Sequence, residues 1–350
     1  MIDEVIKNHQ VLIFAGTGGV GKTTTSAAVG MRAAELGFKT LVLTIDPARR
    51  LVSALGLKEL NQTTKVAEFG KGEMFASMID YKSVFDDFVR SVSSNEKVAE
   101  RVLRNPLYKQ LSTNLAGSQE YTSLERLYRA VEEEGFEKII LDTPPSQHAV
   151  DFLKAPQKIY ALFDSSIFKW FISKGGNDPN FVQKLFQKGT RMALKQLEVL
   201  TGTDFIENLA DFFESIEELS QSIRERSASV QNLLSSKRTA FVLVTSFDET
   251  KLEEASGFNS LLKKYGYRVA MTIVNRAFPF QKESGVRVER GEIERLYNQL
   301  VTYYEDRLEL AKSLRDSQGG ERATLFVPDL PFELNDLSEL GIMKERIVNG

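Results

Sequence analysis

The segment Val11–Thr23, VLIFAGTGGVGKT, decides the fold of this 350-residue chain, because it joins an apolar run to a glycine-rich turn that ends in lysine and threonine. Five consecutive apolar residues, Val11–Ala15, predict a buried strand. Gly16–Thr23 matches the pattern G-x-x-x-x-G-K-[ST]. In this pattern glycines let main-chain N–H groups surround phosphate oxygens, and the following helix directs its N-terminal donors at the same anion. The segment therefore predicts a strand, a phosphate-binding loop and a helix in that order.

The residues of this loop have separate chemical tasks. Lys22 is expected to place its ammonium on the β and γ phosphate oxygens, and the Thr23 hydroxyl is expected to ligate Mg²⁺. The same glycines satisfy the G-x-G-x-x-G fingerprint of dinucleotide-binding folds, but that fingerprint lacks the cation and the metal-binding hydroxyl. We therefore predict a nucleoside triphosphate site rather than the dinucleotide site of a dehydrogenase. Its predicted binding residues are Gly16, Thr17, Gly18, Gly19, Val20, Gly21, Lys22, Thr23 and Thr24.

Short apolar runs alternate with helical stretches along much of the chain. After the first strand, the predicted strands are Thr40–Ile45, Met74–Ile79, Lys138–Leu141, Thr239–Val244, Val269–Val274 and Thr324–Val327. Alternation of this kind requires crossover connections, which place helices on both faces of a mostly parallel sheet. The predicted fold class is α/β, a doubly wound, mostly parallel sheet of the P-loop NTPase type.

Residues 151–236 interrupt this alternation. They contain no strong strand run, and nine of the 23 Phe of the chain fall within 151–215. We predict that 1–150 and 237–350 are the two parts of the P-loop core and that 151–236 form a helical insertion subdomain. An apolar face of this insertion is expected either to form a second layer of the core or to receive an apolar partner.

Two aspartates directly follow predicted strands. Asp46 follows Thr40–Ile45, and Asp142 follows Lys138–Leu141. Ligands of open parallel sheets bind at the carboxyl ends of the strands. We therefore expect Asp142 to act near Mg²⁺ and Asp46 to orient or deprotonate the attacking water, with a helix cap or a turn as the alternative role of each. Prolines just after both acids restrict the backbone, which suits loops with a few defined conformations.

With these residues placed, the chain resembles the ArsA-type anion-transporting ATPases. This family includes the arsenite-pump ATPase and the targeting ATPase of tail-anchored membrane proteins, and it is related to MinD and ParA. The stretches that carry the resemblance are Gly16–Thr24 (GTGGVGKTT), Asp46–Arg49 (DPAR), Asn114–Leu127, Asp142–Pro145 (DTPP) followed by His148, Thr272–Arg276 (TIVNR) and Val327–Pro331 (VPDLP). The resemblance therefore extends through nearly the whole chain.

The resemblance implies an ATPase that binds ATP and Mg²⁺, hydrolyses ATP to ADP and phosphate, and acts as a dimeric switch. It implies that Asp46 positions water, that Asp142 is linked to Mg²⁺ through water, and that Asn275, Pro328 and Leu330 hold the adenine. The helical insertion would bind a cargo or partner, and its phenylalanines favour an apolar protein segment or a lipid-like ligand. His148 is expected either to sense the nucleotide or to be a structural histidine.

Two departures from the family pattern bear on the activity. The pattern has a second lysine early in the loop, which reaches the phosphates of the other subunit, and Thr17 occupies that position here. Either Arg49 or Arg50 compensates, or hydrolysis is slow, or a paralogue brings the lysine to a heterodimer instead of a homodimer. The chain also has no cysteine, which excludes a zinc-clipped dimer and Cys-bound arsenite.

Composition narrows the function classes further. The 45 basic and 48 acidic residues give a formal charge of −3, which does not suggest a nucleic-acid partner. No apolar stretch approaches the ~20 residues of a membrane-spanning helix. The polar N-terminus lacks the features of a secretory signal, so a cytoplasmic location is expected. The alternatives to a cargo-controlling switch are a positioning ATPase of the MinD or ParA kind and a nucleotide-binding scaffold with little turnover.

Overall fold

The structure, a computed structural model, divides the chain into two compact units. The first comprises Met1–Ile79, Arg129–Val150 and Leu233–Gly350, and the second comprises Asp80–Tyr128 and Asp151–Asn232. The residues that the structure describes are 1–45, 50–60, 63–106, 108–109, 118–144, 152–158, 203–277, 291–317, 323–330, 332 and 334–349.

The first unit is built on an eight-stranded sheet. Its strands are β1 (Val11–Gly16), β2 (Lys39–Thr44), β3 (Thr64–Phe69), β4 (Gly72–Met78), β5 (Lys138–Asp142), β6 (Thr239–Ser246), β7 (Val269–Ala277) and β8 (Ala323–Pro328). Their order is β3-β4-β2-β5-β1-β6-β7-β8, and every neighbouring pair is parallel except β3 and β4. The predicted α/β class with a mostly parallel sheet is confirmed, and each of the seven predicted strands coincides with most of an observed one.

Helices connect these strands and form the second unit. In chain order they are α1 (Ile2–Asn8), α2 (Lys22–Glu35), α3 (Arg50–Ala54), α4 (Tyr81–Val92), α5 (Glu96–Arg104), α6 (Ser118–Glu132), α7 (Thr203–Ser235), α8 (Glu249–Lys264), α9 (Gly291–Ser317) and α10 (Leu337–Asn349). A further short helical segment covers 152–158. No helix in the described part of the chain is both long enough and apolar enough to cross a membrane.

Helix α2 packs on the sheet through small residues, and this packing positions the site. Its buried positions include Ala27, Ala28, Ala33 and Ala34. A Cβ at Gly30 would lie 2.3 Å from Cγ2 of Val42 on β2, so a larger residue there would push the helix away from the sheet. The close approach fixes the N-terminus of α2 at the carboxyl end of β1.

Strand β3 is not among the sequence predictions. It pairs antiparallel with β4 at the edge of the sheet, and Gly70 adopts a φ of +61° in the turn between the two strands. Lys65 and Glu68 are exposed, and the other residues of β3 are only partly buried. An edge strand of this kind lacks the continuous apolar run that identifies the strands of a parallel sheet.

The regular elements of the second unit, in the part of it that the structure describes, are all helices. The Asp80 carboxylate accepts hydrogen bonds from two main-chain N–H groups at the start of α4, and the side chain of Asn95 caps α5 in the same way. The ring of Phe88 on α4 meets the ring of Tyr121 on α6 edge-on, with centroids 5.3 Å apart.

The grouping of the chain differs from the predicted boundaries of 1–150, 151–236 and 237–350. The helical unit contains Asp80–Tyr128 in addition to Asp151–Asn232. Asp80–Tyr128 was predicted to belong to the P-loop core, because polar helices between predicted strands are typical crossovers. The aromatic contacts of these helices with one another cannot be read from their spacing alone.

Candidate nucleotide-binding site

The glycines of the loop between β1 and α2 occupy positions that a side chain would disturb. Gly19 and Gly21 adopt φ values of +76° and +87°. A Cβ at Gly16 would lie 1.9 Å from the carbonyl oxygen of Val244 on β6. Gly21 is the N-cap of α2, so the N–H groups of the first turn, which have no partner within the helix, open toward the loop. The loop has the backbone form that binding of an anion requires.

Lys22, the first residue of α2, is held against this loop. Its ammonium donates to the main-chain carbonyl of Thr17 over 2.8 Å, and the residue is 8% exposed. The hydroxyls of Thr24 and Thr25 donate to the carbonyl of Gly21 over 2.9 and 2.7 Å. These bonds hold the turn at which α2 begins. The ammonium of Lys22 lies beside the N–H groups of the first turn.

Two hydroxyls meet on one oxygen of the Asp142 carboxylate. Thr23 Oγ1 donates to Asp142 Oδ2 over 2.6 Å, and Thr44 Oγ1 donates to the same oxygen over 3.0 Å. Asp142 is 1% exposed. The start of α2 and the carboxyl ends of β2 and β5 therefore converge on one buried carboxylate. The structure brings together the two residues predicted as metal ligands, Thr23 and Asp142.

Main-chain bonds join the same strand ends. The N–H of Ile45 donates to the carbonyl of Asp142 over 3.1 Å. The N–H and the hydroxyl of Thr143 both donate to the carbonyl of Phe14, over 3.2 and 2.7 Å. A shift of β5 at this edge would therefore break hydrogen bonds to both β1 and β2.

The opposite side of the loop is tied to β7. The side-chain amide of Asn275 donates to the carbonyl of Val20 over 2.9 Å, and Asn275 is 7% exposed. A Cβ at Gly21 would lie 2.3 Å from the Nδ2 atom of Asn275. The next residue, Arg276, adopts a φ of +53°. The N–H of Asp329 donates to the carbonyl of Ala277 over 3.1 Å, which fastens the loop after β8 to the end of β7.

A cavity of about 950 Å³ opens at this edge of the sheet. It is lined by Gly18, Gly19, Gly21, Lys22, Thr23, Thr24, Arg50, Ser53, Thr143, Asn275, Arg276, Pro328, Asp329, Leu330, Phe332, Leu334, Asn335 and Met343. Nine residues of this set were predicted to bind nucleotide: six from the loop and α2, together with Asn275, Pro328 and Leu330. The other predicted residues that the structure describes, Gly16, Thr17, Val20 and Asp142, are buried and lie outside the lining set. Asp46 and His148 lie outside the described residues.

Residues 9–313 match the model of the anion-transporting ATPase family. This chain belongs to that family. A relative from Prosthecochloris vibrioformis, named arsenical pump-driving ATPase, is 26% identical over 277 residues, which are 79% of this chain and 63% of the relative. One of the same name, numbered 2, from Aquifex aeolicus is 25% identical over 306 residues, 85% of this chain and 90% of the relative. The ATPase GET3 of Podospora anserina is 29% identical over 145 residues, 41% of this chain and 42% of that protein. This chain therefore covers less than two thirds of the length of the relative from Prosthecochloris vibrioformis.

Half of the residues that line the cavity of this anion-transporting ATPase family member are not among the predicted nucleotide-binding residues, although one of them, Arg50, was considered as a replacement for the missing lysine. They are Arg50, Ser53, Thr143, Arg276, Asp329, Phe332, Leu334, Asn335 and Met343. Several of them adjoin a predicted residue along the chain, as Thr143 adjoins Asp142 and Asp329 adjoins Pro328. Adjacency to a motif was the available signal for these. Met343 on α10 had no such signal, because its position depends on how α10 packs.

The described residues offer oxygen ligands for a hard cation. No group of three or more His, Cys, Asp or Glu side chains that could hold a metal ion occurs among them. The Thr23 hydroxyl lines the cavity and donates to the Asp142 carboxylate, which lies buried beside it. Mg²⁺ typically uses one or two carboxylates together with phosphate and water oxygens rather than a cage made of protein alone. The donor set therefore fits Mg²⁺ bound together with a phosphorylated ligand.

Proposed function

We propose that this chain is a Mg²⁺-dependent ATPase that hydrolyses ATP to ADP and phosphate and uses the cycle as a switch. One observation carries the proposal. The 2.6 Å contact between Thr23 and Asp142 lies next to Lys22, and both Thr23 and Lys22 line the cavity. A metal-ligating hydroxyl, an acidic residue on a neighbouring strand and a lysine at a helix N-terminus are the groups by which P-loop enzymes hold a metal-bound triphosphate. Membership of the anion-transporting ATPase family supports the same activity.

We assign the adenine to the side of the cavity formed by Asn275, Pro328 and Leu330. Pro328 and Leu330 offer apolar surface to the flat faces of a purine, and the side chain of Asn275 offers hydrogen-bonding groups to its edge. The bond from Asn275 to the carbonyl of Val20 holds this wall at a fixed distance from the phosphate loop. The phosphates then extend over the N–H groups of Gly18, Gly19 and Gly21.

Different residues of the site have different roles in the proposed hydrolysis. The loop N–H groups and Lys22 bind the β and γ phosphates and oppose their negative charge, which increases on the leaving oxygen during the reaction. Thr23 and Asp142 would hold Mg²⁺, which supplies further positive charge beside those phosphates when it is bound. Asp46, outside the described residues, is proposed to orient the attacking water.

Nucleotide-dependent movement is proposed to pass through Asp142. Its carboxylate accepts hydrogen bonds from the hydroxyls of Thr23 on α2 and Thr44 on β2. A movement of Thr23 would therefore change the hydrogen bonding of Asp142 at the end of β5. Helix α6 leads along the chain to β5, the strand that ends in Asp142. We propose that ATP closes a homodimer or heterodimer and that the helical unit binds an apolar protein segment or a lipid-like cargo in the cytoplasm. The Phe-rich stretch 151–215 is proposed to contact this cargo. Residues 159–202, which make up most of it, lie outside the described residues.

Release of phosphate from ATP by the full chain, with and without Mg²⁺, tests the activity. We expect Mg²⁺-dependent release from the wild-type protein and its loss in Lys22→Ala, because the loop then lacks its buried cation. Lys58→Ala is the matched control, because Lys58 is exposed and is not among the residues that line the cavity. Tight binding of ATP with no phosphate released over hours would contradict the ATPase and leave a nucleotide-binding scaffold.

A further inference from the structure

The charged residues around the cavity are mostly cations. Among the described residues that line it, Lys22, Arg50 and Arg276 are basic and Asp329 is acidic. Lys22 is buried against the carbonyl of Thr17, whereas Arg50 and Arg276 are exposed. The excess of positive charge suits a polyanion, and the two arginines are placed to meet different parts of it.

The order of strands separates the two strands after which, or at the end of which, the arginines occur in the chain. Counting from β1, β2 lies two strands away on one side and β7 lies two strands away on the other. Neighbouring strands are about 4.8 Å apart, so each of these strand ends lies about 10 Å from the end of β1. Arg276 follows Asn275 at the end of β7, and Arg50 begins α3, the helix that follows β2 in the chain.

This separation assigns the ends of the nucleotide. If the base lies by Asn275, as in the proposed function on which this inference rests, the phosphate chain crosses the loop at β1 and its γ end points toward β5 and β2. Thr143, which follows β5, and Arg50 and Ser53 on α3, the helix that follows β2 in the chain, are among the residues that line the cavity, and we place them at this end. Thr17 supplies no charge at this end, because its side chain is neutral, the residue is 2% exposed, and it lies outside the lining set.

We propose that Arg50 is a catalytic residue that contacts the γ-phosphate of ATP from within the same chain. In hydrolysis a water oxygen forms a bond to the γ-phosphorus while the bond from that phosphorus to the β–γ bridging oxygen breaks. The electron pair of the broken bond stays on ADP; one water proton stays on the released phosphate and the other goes to solvent. The guanidinium opposes the charge on the γ-phosphoryl oxygens during this step, and its planar fork can bind two of those oxygens at once.

The test is single-turnover hydrolysis together with nucleotide binding in Arg50→Ala, Arg50→Gln and Arg50→Lys, with Lys58→Ala as the charge-matched control. We expect the rate of the chemical step to fall at least about 100-fold in Arg50→Ala and Arg50→Gln, as when a cation is lost in phosphoryl transfer. Arg50→Lys should recover part of the rate, because it keeps the charge without the fork. Affinity for ADP should stay within about threefold of wild type in all three, because ADP has no γ-phosphate for Arg50 to contact.

Each outcome decides a different point. A wild-type rate in Arg50→Gln, with ADP still bound, overturns the role of Arg50 and leaves the proposed ATPase intact. Equal losses of affinity for ADP and for a non-hydrolysable ATP analogue overturn the assignment of Arg50 to the γ end. Absence of hydrolysis by the wild-type protein overturns the proposed function itself, and the catalytic role of Arg50 with it. If Arg50→Ala does not fold, Arg50→Gln and Arg50→Lys give the same decision.

Discussion

The hydroxyl of Thr23 donates to Oδ2 of Asp142 over 2.6 Å, although 119 positions separate the two residues in the chain. This contact joins the first turn of α2 to the end of β5, and Thr44 reaches the same oxygen from β2. The phosphate loop is therefore connected, by two side-chain bonds, to the carboxyl ends of two neighbouring strands. A movement of Thr23 on binding of phosphates would therefore alter hydrogen bonds at the ends of β5 and β2.

Thr23→Ala should impair both stability and metal-dependent binding. Loss of a hydrogen bond to a buried carboxylate is expected to lower the free energy of unfolding by about 1.5–3 kcal/mol. The increase in ATP affinity that Mg²⁺ produces should also be lost. Denaturant unfolding and ATP titrations with and without Mg²⁺ measure the two effects. Thr23→Ser keeps the hydroxyl and should restore both; an unchanged Mg²⁺ dependence in Thr23→Ala would contradict the assignment.

Gly16→Ala should destabilise the protein more than an alanine at a glycine whose surroundings leave room for a Cβ. The new Cβ would lie 1.9 Å from the carbonyl of Val244, so backbone must move, and we expect a loss of about 3 kcal/mol. Gly37, at a φ of +98°, has no atom within 4 Å of its added Cβ. Gly37→Ala should therefore cost only the strain of its backbone conformation, about 1–2 kcal/mol. Equal losses of stability in the two variants would show that β1 and β6 are not as close as described.

The second unit contains a charge pair with one fully buried partner, so a substitution that breaks this pair is expected to lower the free energy of unfolding. Arg226 on α7 lies 3.3 Å from Glu125 on α6, and the side chain of Glu125 is 0% exposed. Arg226→Met removes this cation from a buried carboxylate, and we expect a loss of about 3 kcal/mol in unfolding free energy. The double variant Glu125→Gln, Arg226→Met should regain most of it.

The control for this pair is an exposed one in the same unit. Arg101 and Glu218 lie 2.8 Å apart, and their side chains are 41% and 43% exposed. Arg101→Met should cost less than about 1 kcal/mol, because solvent screens the pair. If the losses from Arg226→Met and Arg101→Met are equal, burial does not govern the strength of the Glu125 pair.

The sequence predicted the parts of this structure that depend on local pattern. The strand Val11–Ala15 and the loop after it were recognisable because their apolar run and glycine spacing are contiguous. Asn275, Pro328 and Leu330 were identified only through resemblance, because nothing in their own spacing indicates a ligand. Thr44 could not be predicted, because its contact with Asp142 depends on β2 lying next to β5, which is a property of strand order. Arg50 was named with Arg49 as a possible replacement for the missing lysine, but its place in the cavity lining depends on the position of α3, which the sequence does not give.

The pairing of Asp3 with Arg32 should make stability depend on pH. The hydrogen bond from Arg32 holds the pKa of Asp3 below its ordinary value of 3.8, against the opposing effect of partial burial. Because the folded-state pKa is the lower one, the stabilisation is complete above pH 3.8 and is lost as the pH falls through the lowered value. Asp3→Asn should reduce the unfolding free energy by about 0.5–1 kcal/mol at neutral pH. The difference from wild type should vanish well below pH 3.8; a constant difference would refute the link to ionisation of Asp3.

The central claim, that the loop around Lys22 binds a metal-bound triphosphate, is tested most directly by calorimetric titration of ATP with Mg²⁺ into the folded full chain. The account predicts saturable heat with one ATP bound per chain, and its loss in folded Lys22→Ala protein. Absence of binding heat from ATP or any other purine triphosphate with the wild-type protein would contradict the account.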